Sequence, residues 1–585
     1  MEKSSTQTRH ARTTSVDLAT LEKRSTNTLP VPEESDYEDE SSDAESLKSK
    51  SEPVNPTWMS LPRKDQLAIL FLCRLVDFLQ VASLQAYVFF QLKSLDDTLS
   101  DSHISSQAGI LQGAFTGAQV LTAFLWGKAA DASWCGRKRV LLIGLFGTAI
   151  SCIGYGFATS FFWAVLFRAV GGGINGTVGI IRTMIAEITV ERKYQSRAFL
   201  ILPISFSVAN TLGPLMGGLL ADPATTLPGL FGEGAIWGFS WIREYPYALP
   251  SVLNAVTLTV TTLIVFFFLE ETSSKRKGKV DIGLFLAAKV KGVLFRRRDA
   301  QDDYFKLQTW DSADGPLGPG ESDTETLSPV LKQPKRSGST LPFRRVWTRN
   351  VIFTLVTEAF YDFQLGAFTN LWTLFLSSPR SSLEESASRS LPWVFTGGLG
   401  MPAATVGIAT SILGILGMIL QIFLYPPVHA RLGTLHGFRW FLLLFPVAYF
   451  LAPYLAVLPS SSEPPEPASG PVIWAYMALV QFLQVMARTI TLPASIILLN
   501  NCSPHPSVLG LVHGLGQSVS AGFRTIGPVV GGWWYGTGLE MGVVGASWWA
   551  VALVSALGCV SAMFIYEGSG HEIFLEGEED EKLLG

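Results

Sequence analysis

The residues best able to do chemistry in this 585-residue chain are charges set inside long apolar runs. Arg74 and Asp77 stand three apart in "FLCRLVDFLQ", so a helix places them on one face. Glu358 and Asp362 stand four apart in "TEAFYDFQLG" and also share a face. Two carboxylates so close resist ionising together, which suits a proton carrier. Arg168 opens the glycine-rich stretch "RAVGGGING", Arg182 and Glu187 follow it, and Arg488 sits in "QVMARTI". A charge at the bilayer centre costs about 2.5–3.5 kcal/mol on insertion scales, so each of these needs a reason. Arg74–Asp77 reads either as a local ion pair that offsets its own burial or as a proton or substrate site that breaks during a cycle. Glu358 and Asp362 read either as proton carriers or as carboxylates with separate cationic partners, Arg488 being one candidate. Gln85, Gln112, Asn175, Gln364, Asn370 and Gln421 could line a path or bond between helices.

These charges need a membrane frame to position them. The chain is 48% hydrophobic and only 16% charged, against roughly 25% charged in soluble domains. Runs long enough to cross hydrocarbon, about 20 residues each, are predicted at 66–92, 107–127, 139–159, 161–187, 197–221 and 246–269. Six more fall at 351–376, 404–426, 438–458, 471–499, 508–534 and 543–566. The expected fold is an all-α membrane protein of two six-helix bundles. The expected organisation is a disordered tail at 1–60, a first bundle at 61–271, a disordered linker at 272–348, a second bundle at 349–567 and a tail at 568–585. The linker carries "SSKRKGK" and "FRRRDAQDD", and the first tail carries "EESDYEDESSDAES".

Cations cluster after span 2 (Lys128, Arg137, Lys138, Arg139), after span 4 (Arg192, Lys193, Arg197), in the linker and after span 8 (Arg431, Arg439). The opposite loops carry Asp96, Asp97, Asp101, Glu384, Glu385, Glu463 and Glu466. By the positive-inside rule both tails and the linker are cytosolic. The sequons at Asn501 and Asn175 then lie where no glycan is added. No secretory signal is recognisable ahead of the first span. The five cysteines and seven histidines are scattered without metal-ligand or disulfide spacing. No phosphate-binding GxxxxGK[ST] occurs, which argues against ATP-driven pumping.

Span 5 contains "GPLMGG" (Gly213, Pro214, Gly217, Gly218) and span 11 contains "GPVVGG" (from Gly527 and Pro528). Each is the fifth span of its half, which points to an internal duplication. Proline frees a backbone carbonyl and glycine lets helices approach closely, so both segments are expected to bend and pack.

The link "GKAADASWCGRKR" (127–139) joins spans 2 and 3. Asp131 is placed to cap a helix N-terminus and pair with Arg137, a contact expected to hold the halves shut and to break when they rock. Gly127, Ala130, Asp131, Gly136, Arg137 and Lys138 resemble the G-x-L-A-D-R-x-G-R-K motif of the major facilitator superfamily, with "ASWC" making the link two residues longer. "YPYALP", "FFFLEET", "GGLGM", "NNCSP" and "GQSVSAGFRTIGPVVGG" are similar to the fungal and plant zinc-induced-facilitator-like branch, among twelve-span drug:proton antiporters. His513 and Asp77-Phe78 depart from that branch, which more often has Asn and Glu-Pro.

The resemblance implies the major facilitator fold and a secondary transporter, not an enzyme, driven by a proton gradient with no cofactor. It implies that Arg168 helps couple protons and that Arg182 and Glu187 belong to an inner gate with Gly127, Asp131, Gly136, Arg137 and Lys138. The expected cargo is a small organic molecule exported against protons by a monomer in the plasma or vacuolar membrane, with no nucleic acid involved. Two alternatives stand beside it: transport of a metal chelate or ion, and a receptor that transports nothing.

Overall fold

The computed structural model describes residues 61–189, 194, 198–273, 276, 281–294, 341–382, 390–569 and 571–573. The first tail, most of the linker and the end of the last tail lie outside them, as do Arg192, Lys193, Arg197, Glu384 and Glu385.

A backbone inside hydrocarbon must satisfy its own hydrogen bonds, and the apolar runs do so as helices. In the first half these are α1 (Lys64–Gln85), α2 (Asp101–Asp131), α3 (Arg137–Gly156), α4 (Phe161–Ile174), α5 (Thr177–Ile188), α6 (Ile201–Leu220) and α7 (Ala248–Phe268). A further helix, α8 (Ile282–Leu294), precedes the second half. That half holds α9 (Arg349–Ser377), α10 (Ala403–Phe423), α11 (Tyr425–Leu442), α12 (Leu444–Leu451), α13 (Pro471–Asn501), α14 (Leu509–Glu540) and α15 (Gly545–Met563). All twelve predicted spans are therefore helical. Among the described residues, ten helical stretches are long and apolar enough to cross a membrane by composition. The other two predicted spans are α6 and α14, the bearers of the repeated Gly-Pro motif. Their Gly, Ser and Thr content lowers their apolarity, and they pack against helices of both halves rather than facing lipid alone. The molecule's outer face is apolar, with Phe146, Ile150, Phe162, Leu263, Phe423 and Leu553 exposed for lipid contact.

Several boundaries differ from the sequence-based expectation, beginning with the first span, which is interrupted at Ala86–Tyr87 before a short helix over Val88–Leu95. The fourth span is broken at Asn175–Gly176, between α4 and α5. The predicted gap at 427–437 is helical on both sides of Gly433, whose positive φ of 68° makes the turn. The linker is not featureless: α8 lies within it, and a Cβ at Gly283 would overlap the Phe266 carbonyl oxygen at the end of α7. Gly283 is buried in this contact while Ile282, Phe285 and Leu286 of the run "IGLFLA" stay exposed, and the surrounding lysines and arginines masked the run in the sequence.

The duplication shows in the packing. Prolines 214 and 528 both lie inside helices. A Cβ at Gly217 would overlap the Ser83 carbonyl oxygen of α1, and one at Gly218 would overlap the Ala403 carbonyl oxygen of α10. In the second half a Cβ at Gly531 would lie 2.6 Å from Leu371 of α9, and one at Gly532 would lie 2.5 Å from the Ser105 carbonyl oxygen of α2. In each half, then, the fifth span presses one glycine on its own first span and the next glycine on the second span of the opposite half. Burying backbone this closely excludes any larger side chain at these sites.

Candidate functional site

The break between α4 and α5 turns Asn175 and Thr177 toward α1. Asn175 Nδ2 donates to Asp77 Oδ1 at 2.5 Å, and Thr177 Oγ1 lies 3.2 Å from Asp77 Oδ2. Arg74 Nη1 donates to Asp77 Oδ2 at 2.5 Å, so the carboxylate is held from three sides. The Arg74 guanidinium also lies 3.7 Å over the Phe78 ring. Arg74 and Asp77 are both buried. Asn175, a polar residue of open role in the sequence, thus bonds between helices.

Arg168 is buried on α4, about two turns before Asn175, yet it makes no ion pair among the described residues. Its Nη1 donates to Gln80 Oε1 at 3.1 Å, and its guanidinium lies 4.5 Å from the Phe115 ring centre. It lines a small cavity inside the first half with Gln80, Tyr155 and Asn254.

In the second half Asp362 is buried on α9 and accepts from Arg524 of α14, at 3.1 Å from Nε and 2.5 Å from Nη2. The Arg524 side chain is 52% exposed while that of Asp362 is 1% exposed. The pair therefore sits at the edge of an opening. Arg524 is the functional residue that sequence reasoning missed, although it stands in "GFRTIGPVVGG". An arginine one turn ahead of the glycine motif was the available signal. Glu358 lies one turn before Asp362 and lines a small cavity with Thr354, Thr357, Tyr361 and Ser495. No hydrogen bond or ion pair holds its carboxyl among the described residues. Arg488 pairs with neither acid; its guanidinium lies 4.3 Å from the ring centre of Phe206, across the halves on α6. Asn370 Nδ2 donates to the Pro528 carbonyl oxygen at 3.0 Å, taking up an acceptor on the bent helix.

The two halves meet unequally at their two ends. Ser102 Oγ donates to Glu540 Oε1 at 2.6 Å where α2 begins and α14 ends. Near that end a Cβ at Gly109 would lie 2.5 Å from the Pro528 carbonyl oxygen. At the other end a Cβ at Gly127, Gly179, Gly510 or Gly514 would meet open space. There Arg182 Nη1 donates to Gln517 Oε1 at 2.7 Å, bridging α5 and α14. A cleft thus opens between the halves toward the end that carries Arg137 and closes toward Ser102.

Around that open end Arg137 pairs with Glu187 and, at 3.5 Å, with Asp131. The carboxylate at the α3 N-terminus belongs to Glu271, which accepts from the backbone N–H of Arg137 at 3.0 Å and of Lys138 at 3.2 Å. Helix N-termini favour such an acid. A Cβ at Gly136, where φ is 81°, would lie 2.5 Å from Glu271 Oε2. Lys138 Nζ donates to Asp281 Oδ2 at 2.7 Å, tying α3 to the start of α8. The expected pairing of Asp131 with Arg137 is present, and at the α3 N-terminus the capping acid is Glu271. Among the described residues, every pair made here by Arg137 and Lys138 stays within the first half and α8, and bridges no gap between halves. Just outside the membrane, burial pushes the Cys135 thiol up. All five cysteines are buried and free, as small apolar residues would be.

The family described as Major Facilitator Superfamily matches residues 69–386. A relative from Aspergillus fumigatus, described as a major facilitator superfamily multidrug transporter, is 33% identical over 537 residues, covering 87% of this chain and 84% of its own. An efflux pump of Aspergillus niger is 24% identical over 80% of each chain. The Arabidopsis thaliana protein ZINC INDUCED FACILITATOR 1 is 22% identical, over 80% of this chain and 83% of its own. Among solved structures, a D-xylose-proton symporter superposes with a TM-score of 0.56 at 14% identity, over 87% of this chain and 99% of its own. An inward-open xylose transporter from E. coli superposes with a TM-score of 0.54 at 13% identity, over 89% and 99%. These two share the fold.

Proposed function

Because the chain belongs to the major facilitator superfamily, we propose that it is a secondary transporter exporting a small organic molecule in exchange for protons by alternating access. The observation that carries this reading is the cleft itself. It is closed by glycine-to-backbone contact at one end, open at the other, and flanked by acids at its buried wall. The relatives described as a multidrug transporter and an efflux pump support the outward direction.

Three of the acids in the spans divide the labour. Asp77 is fixed by Arg74, Asn175 and Thr177. Asp362 is matched by Arg524, which reaches the cleft. Glu358 has no donor among the described residues, and a carboxyl away from bulk water without one is costly to ionise. Glu358 therefore carries the coupling proton, and Asp362–Arg524 is the pair that opens when substrate and proton exchange. Arg168 acts on this cycle from the first half through Gln80 and α1. The transporter works as a monomer in the plasma or vacuolar membrane, with both termini in the cytosol and the cleft facing it. A proton gradient is its only energy source and it needs no cofactor.

The test is flux in reconstituted vesicles under an imposed pH gradient, with a panel of labelled organic compounds. Gradient-dependent flux is expected in the wild type and is lost in Asp362→Asn and Arg168→Ala. Flux that ignores the gradient in the wild type would contradict the proposal.

A further inference from the structure

The small cavity inside the first half gathers polar atoms left without partners among the described residues. Gln80 on α1, Tyr155 on α3, Arg168 on α4 and Asn254 on α7 all line it, and each is more than nine-tenths buried. Arg168 Nη1 donates to Gln80 Oε1, which orients that amide and leaves Gln80 Nε2 over as a donor. Asn254 Nδ2 donates to Ser83 Oγ at 2.6 Å, which leaves Asn254 Oδ1 over as an acceptor. The unpartnered atoms of the lining are Arg168 Nε, Gln80 Nε2, the Tyr155 hydroxyl and Asn254 Oδ1. The first three can donate and the last can only accept. The other polar side chains of the lining are already engaged: Tyr87 with Ser251, and Ser151 with the Phe167 carbonyl oxygen. The Phe115 ring, 4.5 Å from the Arg168 guanidinium, offsets only part of its charge. At 5% exposure Arg168 has little bulk water to stand in for a counter-charge, so leaving it bare is costly.

From this arrangement we infer that the cavity is a binding site for a single-atom anion, a halide such as chloride, held by Arg168, Gln80 and Tyr155. Its free volume of about 10 Å³ takes one particle of roughly water's size, which excludes an organic acid. A water would accept two hydrogen bonds but bring two donors of its own, so the excess of donors would remain and the guanidinium charge would stand unmatched. An anion adds acceptor capacity and no donor, and it matches the charge. Hydrogen bonds in which one partner is ionised are the strong ones, and here the donor and the acceptor are both ionised at Arg168. Asn254 Oδ1 is the one unpartnered atom that an anion does not satisfy, and it marks the place where a carboxylate could replace the ion. Bound there, the halide ties α1, α3 and α4 together inside the first half. The inference stands apart from the transport reading, because it concerns what completes the packing of one half.

The experiment uses the full chain in nanodiscs of neutral lipid, with gluconate as the only anion, and follows thermal melting as chloride, bromide or sulfate is added at constant ionic strength. Chloride and bromide are expected to raise the melting temperature of the wild type saturably, as a ligand of the folded state does. Sulfate is too large for the cavity and should act like gluconate. Arg168→Gln removes the charge and is expected to abolish the halide response. Tyr155→Phe deletes one donor and is expected to weaken halide binding about fivefold. Asn254→Asp supplies a fixed counter-charge, so it should melt in gluconate at least as high as the wild type does there and should no longer respond to halide. This last variant keeps the test open even if Arg168→Gln does not fold. The inference is overturned if the wild type melts alike in gluconate and in halide, if sulfate matches chloride, or if Asn254→Asp keeps the full halide response.

Discussion

The two halves share a scaffold and differ in their charges. On the scaffold side, Gly217 against α1 and Gly218 against α10 are answered by Gly531 against α9 and Gly532 against α2. On the charge side, the first half encloses Asp77 among Arg74, Asn175 and Thr177, all its own residues. The second half gives Asp362 one partner, Arg524, half exposed at the cleft, and leaves Glu358 without any. Backbone-to-backbone packing tolerates no side chain, so duplication preserved it. Polar side chains were under no such constraint, and one half became a rigid wall while the other kept the groups that can change partners.

The largest effect expected from this comparison is steric and equal in the two halves. Gly217→Val and Gly532→Val each put a branched Cβ into a backbone carbonyl oxygen, at a cost of about 3 kcal/mol, and both should abolish folded protein on size-exclusion chromatography. If one were tolerated, the halves would not share their packing. Next comes a contrast between acids. Asp77→Asn leaves Arg74 buried beside a neutral amide, a loss of about 3–5 kcal/mol, and should lower the melting temperature sharply. Asp362→Asn releases an arginine that already reaches the cleft, so its melting shift should be clearly smaller while its transport falls to background. Equal melting shifts would erase the distinction between wall and switch.

Smaller effects sharpen the picture at the two ends. Glu271→Ala removes the acid from the α3 N-terminus, at about 0.5–2 kcal/mol, and should loosen the Arg137 end without disturbing the second half, as hydrogen exchange would read. Ser102→Ala deletes one hydrogen bond to Glu540, about 1 kcal/mol. It should raise the population open at that end about fivefold, read as faster labelling of a cysteine placed at Thr537.

Much of this was legible in the sequence. Twelve apolar runs, the paired Gly-Pro motifs and the charged residues in spans 1, 4, 7 and 10 were all visible, because length, apolarity and misplaced charge are local signals. Partnership was not local. Asp77 meets Asn175 because a helix breaks there, and a break at Asn-Gly inside an apolar run looks like any other small-residue site. Asp362 meets Arg524 from the fifth span of its half, whereas the sequence offered Arg488 as the nearer guess. The α3 cap came from Glu271, far along the chain from Asp131, and only folding brings "LEET" to "GRKR". The α8 helix was hidden by the charges around it.

The most direct test of the central claim is coupling measured in Glu358→Gln beside Asp77→Asn, in vesicles that allow substrate exchange with and without a pH gradient. The account predicts that Glu358→Gln still exchanges labelled for unlabelled substrate yet no longer accumulates it under the gradient. Those Asp77→Asn molecules that survive folding should still accumulate it. Gradient-driven accumulation intact in Glu358→Gln and lost in folded Asp77→Asn would place the proton in the first half and contradict the account.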